Sequence, residues 1–93
     1  MNALLIEVVT SPTCKPCKNL LAILKEVQTE LEKENLHITI REVGMEDIPD
    51  QVSSVPTTFI LTNEPPEIVD IFAGVKTKTE IVEMLKDIFY TLN

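Results

Sequence analysis

The sequence predicts an α/β fold: a four-stranded mixed sheet flanked by helices on both faces, in the order β-α-β-(short α)-β-β-α. Three observations carry this. Residues 3–9 and 36–43, one run apolar and the other alternating, bracket a long segment whose leucines recur at helical spacing. Two β-branched runs, 57–62 and 67–72, flank the turn-forming "NEPPE". An amphipathic stretch from Thr77 closes the chain. At 93 residues, 1–93 is expected to form one domain.

The elements follow in order. "ALLIEVV" at 3–9 is apolar throughout except Glu7, as suits a strand buried on both faces. The turn-prone "TSP" ends it. Leu20, Leu21, Leu24, Val27, Gln28 and Leu31 then share one helical face, with charges from Lys25 to Glu34 on the other. This spacing predicts a helix from Cys14 or Pro16 to Glu34, stopped at Asn35. In "LHITIREV", Leu36, Ile38 and Ile40 alternate with His37, Thr39 and Arg41, so 36–43 is a second strand. Strand, helix and strand in this order build a right-handed crossover with parallel strands.

"GMEDIPDQVSS", broken by Pro49, allows about one turn of helix. The short gap between 57–62 and 67–72 implies an antiparallel hairpin. Thr77 and Glu80 form a capping box. It opens a helix whose Ile81, Leu85, Ile88, Phe89 and Leu92 make one apolar stripe.

Composition excludes several functions. Apolar residues make up 44% and charged residues 25%, as in an ordinary soluble domain. The net charge of -7 repels nucleic acid and anionic lipid, so neither is an expected partner. The first residues lack a secretion-signal pattern. No apolar run approaches the roughly 18 residues that cross a bilayer. A cytoplasmic protein is expected.

The two cysteines, Cys14 and Cys17, lie three positions apart where the first strand gives way to the first helix. Bridging so short a loop restricts the unfolded chain little, so stabilisation is a poor reason for the pair. In a reducing compartment such cysteines are catalytic or metal-binding. A helix N-terminus stabilises a thiolate, and Lys15 and Lys18 add positive charge, so the Cys14 pKa should fall. Pro16 suits the first helical turn, where its missing N–H costs nothing. Cys17, one turn further in, shares a helix face with Cys14 and can close a disulfide. The chemistry that follows is attack by Cys14 on a substrate disulfide and resolution by Cys17.

Other readings stand beside this one. Zinc needs about four ligands. Beyond the cysteines only His37 is a good further ligand, so a metal site would be shared between two chains. Glu7, one strand position from Val8, is expected to be a partly exposed carboxylate paired with a lysine. His37, Met45 and Tyr90 are read as packing or surface residues.

"IEVVTSPTCKPCKNLL", then "VPTTFIL" and "FAGVKTKTEIVEML", resemble the thioredoxin and glutaredoxin superfamily over nearly the whole chain. The small archaeal-type thioredoxins are the nearest resemblance. It implies a thioredoxin-like fold, with Cys14 as nucleophile and Cys17 as resolving cysteine. It also implies a cis peptide before Pro56 and substrate pairing at the Val55 backbone. Gly74 corresponds to the glycine bordering the site. The substrate-contacting set is thus Lys15, Pro16, Val55, Pro56 and Gly74.

The sequence departs from longer thioredoxins at two places. Thr13 stands where they carry Trp, and Val8 where they carry a buried Asp. Glutaredoxins place a double glycine after the last strand; here "AGVKTKTE" has one, although Lys76 or Lys78 could meet a glutathione carboxylate.

The resulting expectation is a monomeric oxidoreductase that reduces disulfide-containing proteins. It needs no bound cofactor and takes electrons from an external reductase or glutathione. A glutathione-dependent enzyme, a metal-binding protein and a non-catalytic docking module on the same fold are the alternatives.

Overall fold

The computed structural model describes residues 3–47 and 54–92. Along the chain run β1 (Ala3–Thr10), α1 (Lys15–Glu32), β2 (His37–Gly44), a 3₁₀ turn (Met45–Asp47), β3 (Thr57–Thr62), β4 (Ile68–Ala73) and α2 (Lys78–Leu92). The sheet order is β2-β1-β3-β4. β1 is parallel to β2, and β3 is antiparallel to both β1 and β4. This is the thioredoxin-like arrangement expected. Of the interrupted segment 44–54, the 3₁₀ turn is seen, and residues 48–53 lie outside the described residues.

Boundaries shift by a residue or two. Helix α1 ends at Glu32 rather than Glu34, because the chain turns over with Lys33 as cap and Asn35 at φ 61°. The Leu36 N–H then donates to the Leu31 carbonyl at 3.0 Å and redirects the chain into β2. At α2 the capping box forms in both directions. The Glu80 N–H donates to Thr77 Oγ1 at 3.2 Å, and the Thr77 N–H donates to Glu80 Oε1 at 3.1 Å.

Among the described residues, both long helices lie on one face of the sheet. Leu4, Ile6 and Val8 point to one side of β1 and are fully buried. They share one core with Leu20, Leu24, Val27 and Leu31 of α1, Ile60 and Phe72 of the sheet, and Ile81, Leu85 and Phe89 of α2. Both described helices therefore lie on the same face; Lys78 of α2 pairs with Glu30 of α1 (3.8 Å), and Lys86 pairs with Glu34 in the turn just beyond α1 (2.6 Å). On the other face, Val9 and Leu61 are buried, Leu5 and Phe59 are half-buried and Ile71 is exposed. Apolar residues at both parities of β1 suggested two covered faces. On the second parity, Ala3, Leu5 and Glu7 are half-buried, and Val9 at the dithiol end is buried.

The same parity carries Glu7. Register sets it beside Arg41, and the two pair at 3.3 Å. The partner is an arginine on the adjoining strand, not a lysine.

Candidate active site

The chain leaves β1 through "SPTC", where the Cys14 N–H donates to the Ser11 carbonyl at 3.2 Å. Cys14 has extended backbone (φ -85°, ψ 103°) and caps α1. Its Sγ accepts the Cys17 N–H at 3.1 Å, a bond usually supplied by a Ser or Asp oxygen. Pro16 sits in the first turn, where an N–H would find no partner inside the helix. Cys14 and Cys17 are joined by a disulfide, their Cα atoms 5.3 Å apart. The two sulfurs are unequally sheltered. Cys14 is 8% exposed and Cys17 2%, so an incoming thiol or disulfide meets Cys14 first. Lys15, Pro16 and Lys18 are exposed around it.

Sheet register brings the remaining predicted residues to the same end. Thr57 at the head of β3 pairs with Val9 near the end of β1, and Ala73 at the end of β4 pairs with Thr57. Val55–Pro56 and Gly74 therefore stand where β1 hands over to the cysteines. The Val55–Pro56 peptide is cis. Pro56 is buried and Val55 half-buried. The Pro56 carbonyl accepts the Gly74 N–H at 2.9 Å. Gly74 has φ 79°, a left-handed conformation that glycine adopts without penalty. Thr57 Oγ1 donates to the Ser54 carbonyl at 2.8 Å and holds the approach to the proline.

Other candidates lie elsewhere or are engaged. His37 pairs with Ala3, at the opposite end of β1 from the dithiol. Among the described residues no group of three or more His, Cys, Asp or Glu side chains is placed to hold a metal. The Lys76 ammonium lies over the Phe72 ring, 5.6 Å from its centre, and Lys78 is paired with Glu30. Sequence reasoning missed two features at this end and the far end of the sheet. Thr10 Oγ1 donates to Glu42 Oε1 at 3.0 Å beside the dithiol loop. A second cis peptide, Glu64–Pro65, shapes the hairpin, with Thr62 Oγ1 donating to the Pro65 carbonyl at 2.6 Å. The Pro65-Pro66 doublet was the available signal for the second.

Comparison with known proteins agrees with this geometry. The family model described as Thioredoxin matches residues 2–87. No match is found among curated proteins. Among solved structures, chloroplastic thioredoxin z is similar at TM-score 0.74 and 20% identity, over 96% of this chain and 80% of that one. The germline-specific thioredoxin Deadhead of Drosophila melanogaster is similar at TM-score 0.70 and 16% identity, over 92% of this chain and 81% of that one. At such identities the two structures speak to the fold alone. The family match over 2–87, laid on this four-stranded sheet and its helix-capping, redox-active disulfide, makes the chain a member of the thioredoxin family.

Proposed function

We propose that this chain reduces disulfides in other proteins, with Cys14 as nucleophile and Cys17 as resolving cysteine. The observation that carries the assignment of roles is the Cys17 N–H directed at the more exposed Cys14 sulfur. In the dithiol form that N–H and the helix N-terminus stabilise a thiolate at Cys14, and Lys15 and Lys18 add to the effect.

The Cys14 thiolate attacks one sulfur of the target disulfide. A mixed disulfide forms and the other target sulfur leaves as thiolate. Cys17 then loses its proton and attacks Cys14 Sγ. The Cys14–Cys17 bond forms, and the remaining target sulfur departs with the electron pair and takes up a proton. An extended target segment would pair with the Val55 backbone beside Pro56, in the manner of an added strand. Lys15, Pro16 and Gly74 line the approach.

Electrons come from an external reductase or from glutathione, with no bound cofactor. We favour a reductase, because Lys76 and Lys78, the two cations suited to a glutathione carboxylate, already have partners. A single-domain, monomeric, cytoplasmic protein of the small archaeal type fits this role. Among the described residues no helix is long and apolar enough to cross a membrane.

Reduction of insulin tests the proposal. Cys14→Ser keeps an acceptor for the Cys17 N–H while removing the nucleophile, so activity should fall to background with the fold retained. Cys17→Ser should accumulate the mixed disulfide. Full activity in Cys14→Ser would overturn the reading. Metal bound stoichiometrically to protein purified without oxygen would move it toward the shared metal site.

A further inference from the structure

Four threonines of β1 and β3 are buried. Three have partners: Thr10 donates to Glu42, Thr57 to the Ser54 carbonyl and Thr62 to the Pro65 carbonyl. Thr58 is different. It is 1% exposed, and its Oγ1 makes no hydrogen bond. A buried hydroxyl without a partner is unfavourable, and a Val side chain would occupy the same place without that cost.

Its position offers a reason. Thr58 lies two residues beyond Pro56 and pairs with Val8 on one side and Phe72 on the other. Both neighbours belong to the core beneath the helices, so the hydroxyl is on the core face. Val8 is the last core-facing member of the β1 row Leu4, Ile6, Val8, at the end of the sheet where the chain departs for the cysteines. Cys17 opens the buried stripe of α1 at that same end. Its sulfur, bonded to Cys14, has no proton to donate and makes no hydrogen bond. Reduction changes this. It leaves Cys17 with a buried S–H, or a thiolate in need of a donor, at the same end of the helix-covered face as the one described buried side-chain oxygen that lacks a partner.

We propose that the Thr58 hydroxyl is the hydrogen-bond partner of Cys17 in the dithiol form. This rests on the redox reading above and assigns a positioning residue to it. Opening of the S–S bond frees Cys17 Sγ to turn toward the sheet. Thr58 accepts from the thiol, then donates to the thiolate when the Cys17 proton leaves for the departing target sulfur. The thiolate is thereby held ready for attack on Cys14 Sγ. The oxidised state leaves the hydroxyl unpaired and the reduced state satisfies it, so Thr58 favours the dithiol.

The test is the thiol–disulfide equilibrium of the pair in dithiothreitol buffers, followed by alkylation and mass. Thr58→Val should move the equilibrium about tenfold toward the disulfide, about 30 mV more negative for a two-electron couple. Its oxidised form should be at least as resistant to urea as the natural protein. Thr58→Ser, which restores the hydroxyl, should return within about twofold of the natural equilibrium. Should Thr58→Val not fold, Thr58→Ala replaces it with the same expected direction. An unchanged equilibrium on loss of the hydroxyl, or a serine variant that behaves like valine, overturns the proposal. The titration needs no protein target. A chain that fails to reduce insulin therefore still reports on Thr58, and the two failures are distinguishable.

Discussion

At the scale of single residues, the two glycines make opposite demands. Gly74 has φ 79°, but a Cβ there would meet nothing within 4 Å. The restriction is in the backbone. Gly74→Ala should cost about 1 kcal/mol from left-handed strain, read by urea denaturation. It should also weaken the Gly74 N–H bond to the Pro56 carbonyl, lowering insulin reduction through a raised KM. At Gly44 a Cβ would stand 2.8 Å from Glu46 Oε1, the far end of a flexible side chain that can swing away. Gly44→Ala should change stability by less than about 0.5 kcal/mol, as is usual for surface substitutions.

Much of the residue-level site was legible. The spacing of Cys14 and Cys17 and the "VPT" and "FAG" segments pointed to residues that the register gathers at one end of the sheet. Thr58 was not legible. In "TTFILT" a threonine suits a strand on either face, and only the pairing with Val8 shows that its hydroxyl is enclosed.

At the scale of elements, both helices begin with side-chain caps. The Thr77–Glu80 box was readable from its spacing because capping is local, whereas at Cys14 only the helix start was readable and not the sulfur cap. α1 uses a sulfur, and α2 the reciprocal Thr77–Glu80 pair. The Glu80 carboxyl is held below its ordinary value of 4.5, first by the Thr77 backbone N–H and then by its side chain. A depressed carboxyl contributes stability in full above its unfolded value, and the contribution is lost as pH falls through the folded one. The α2 N-terminus should therefore fray as pH drops below about 4.5, seen as faster amide exchange at residues 78–81. Glu80→Gln should flatten that pH dependence, and an unaltered acid profile would count against the cap. At neutral pH, Thr77→Ala should cost about 1 kcal/mol. Element boundaries were less legible. The end of α1 depends on a left-handed Asn35 and a bond from Leu36 back to Leu31, which apolar spacing does not encode.

At the scale of the whole molecule, element order was readable, but the distribution of helices over the sheet was not. Alternation shows that a strand has two faces and does not say which helix lies on which. β1, apolar at both parities, suggested cover on both. Among the described residues, both helices and most of the buried apolar side chains lie on one face, while the other keeps Val9 and Leu61 buried and leaves Ile71 51% exposed. A pair of truncations tests this asymmetry. Phe89 is fully buried where α2 meets the common core, and Phe89→Ala should cost about 3–5 kcal/mol through lost transfer energy and the cavity left behind. That loss is a large part of the 5–15 kcal/mol by which a domain is ordinarily stable, so the variant should be partly unfolded at 37 °C. Ile71→Ala removes a side chain already half in water, and should lower the unfolding free energy measured in urea by less than about 1 kcal/mol with an unchanged m-value. Equal costs at the two positions would mean that the second face is packed as tightly as the first, and the one-sided core would have to be abandoned.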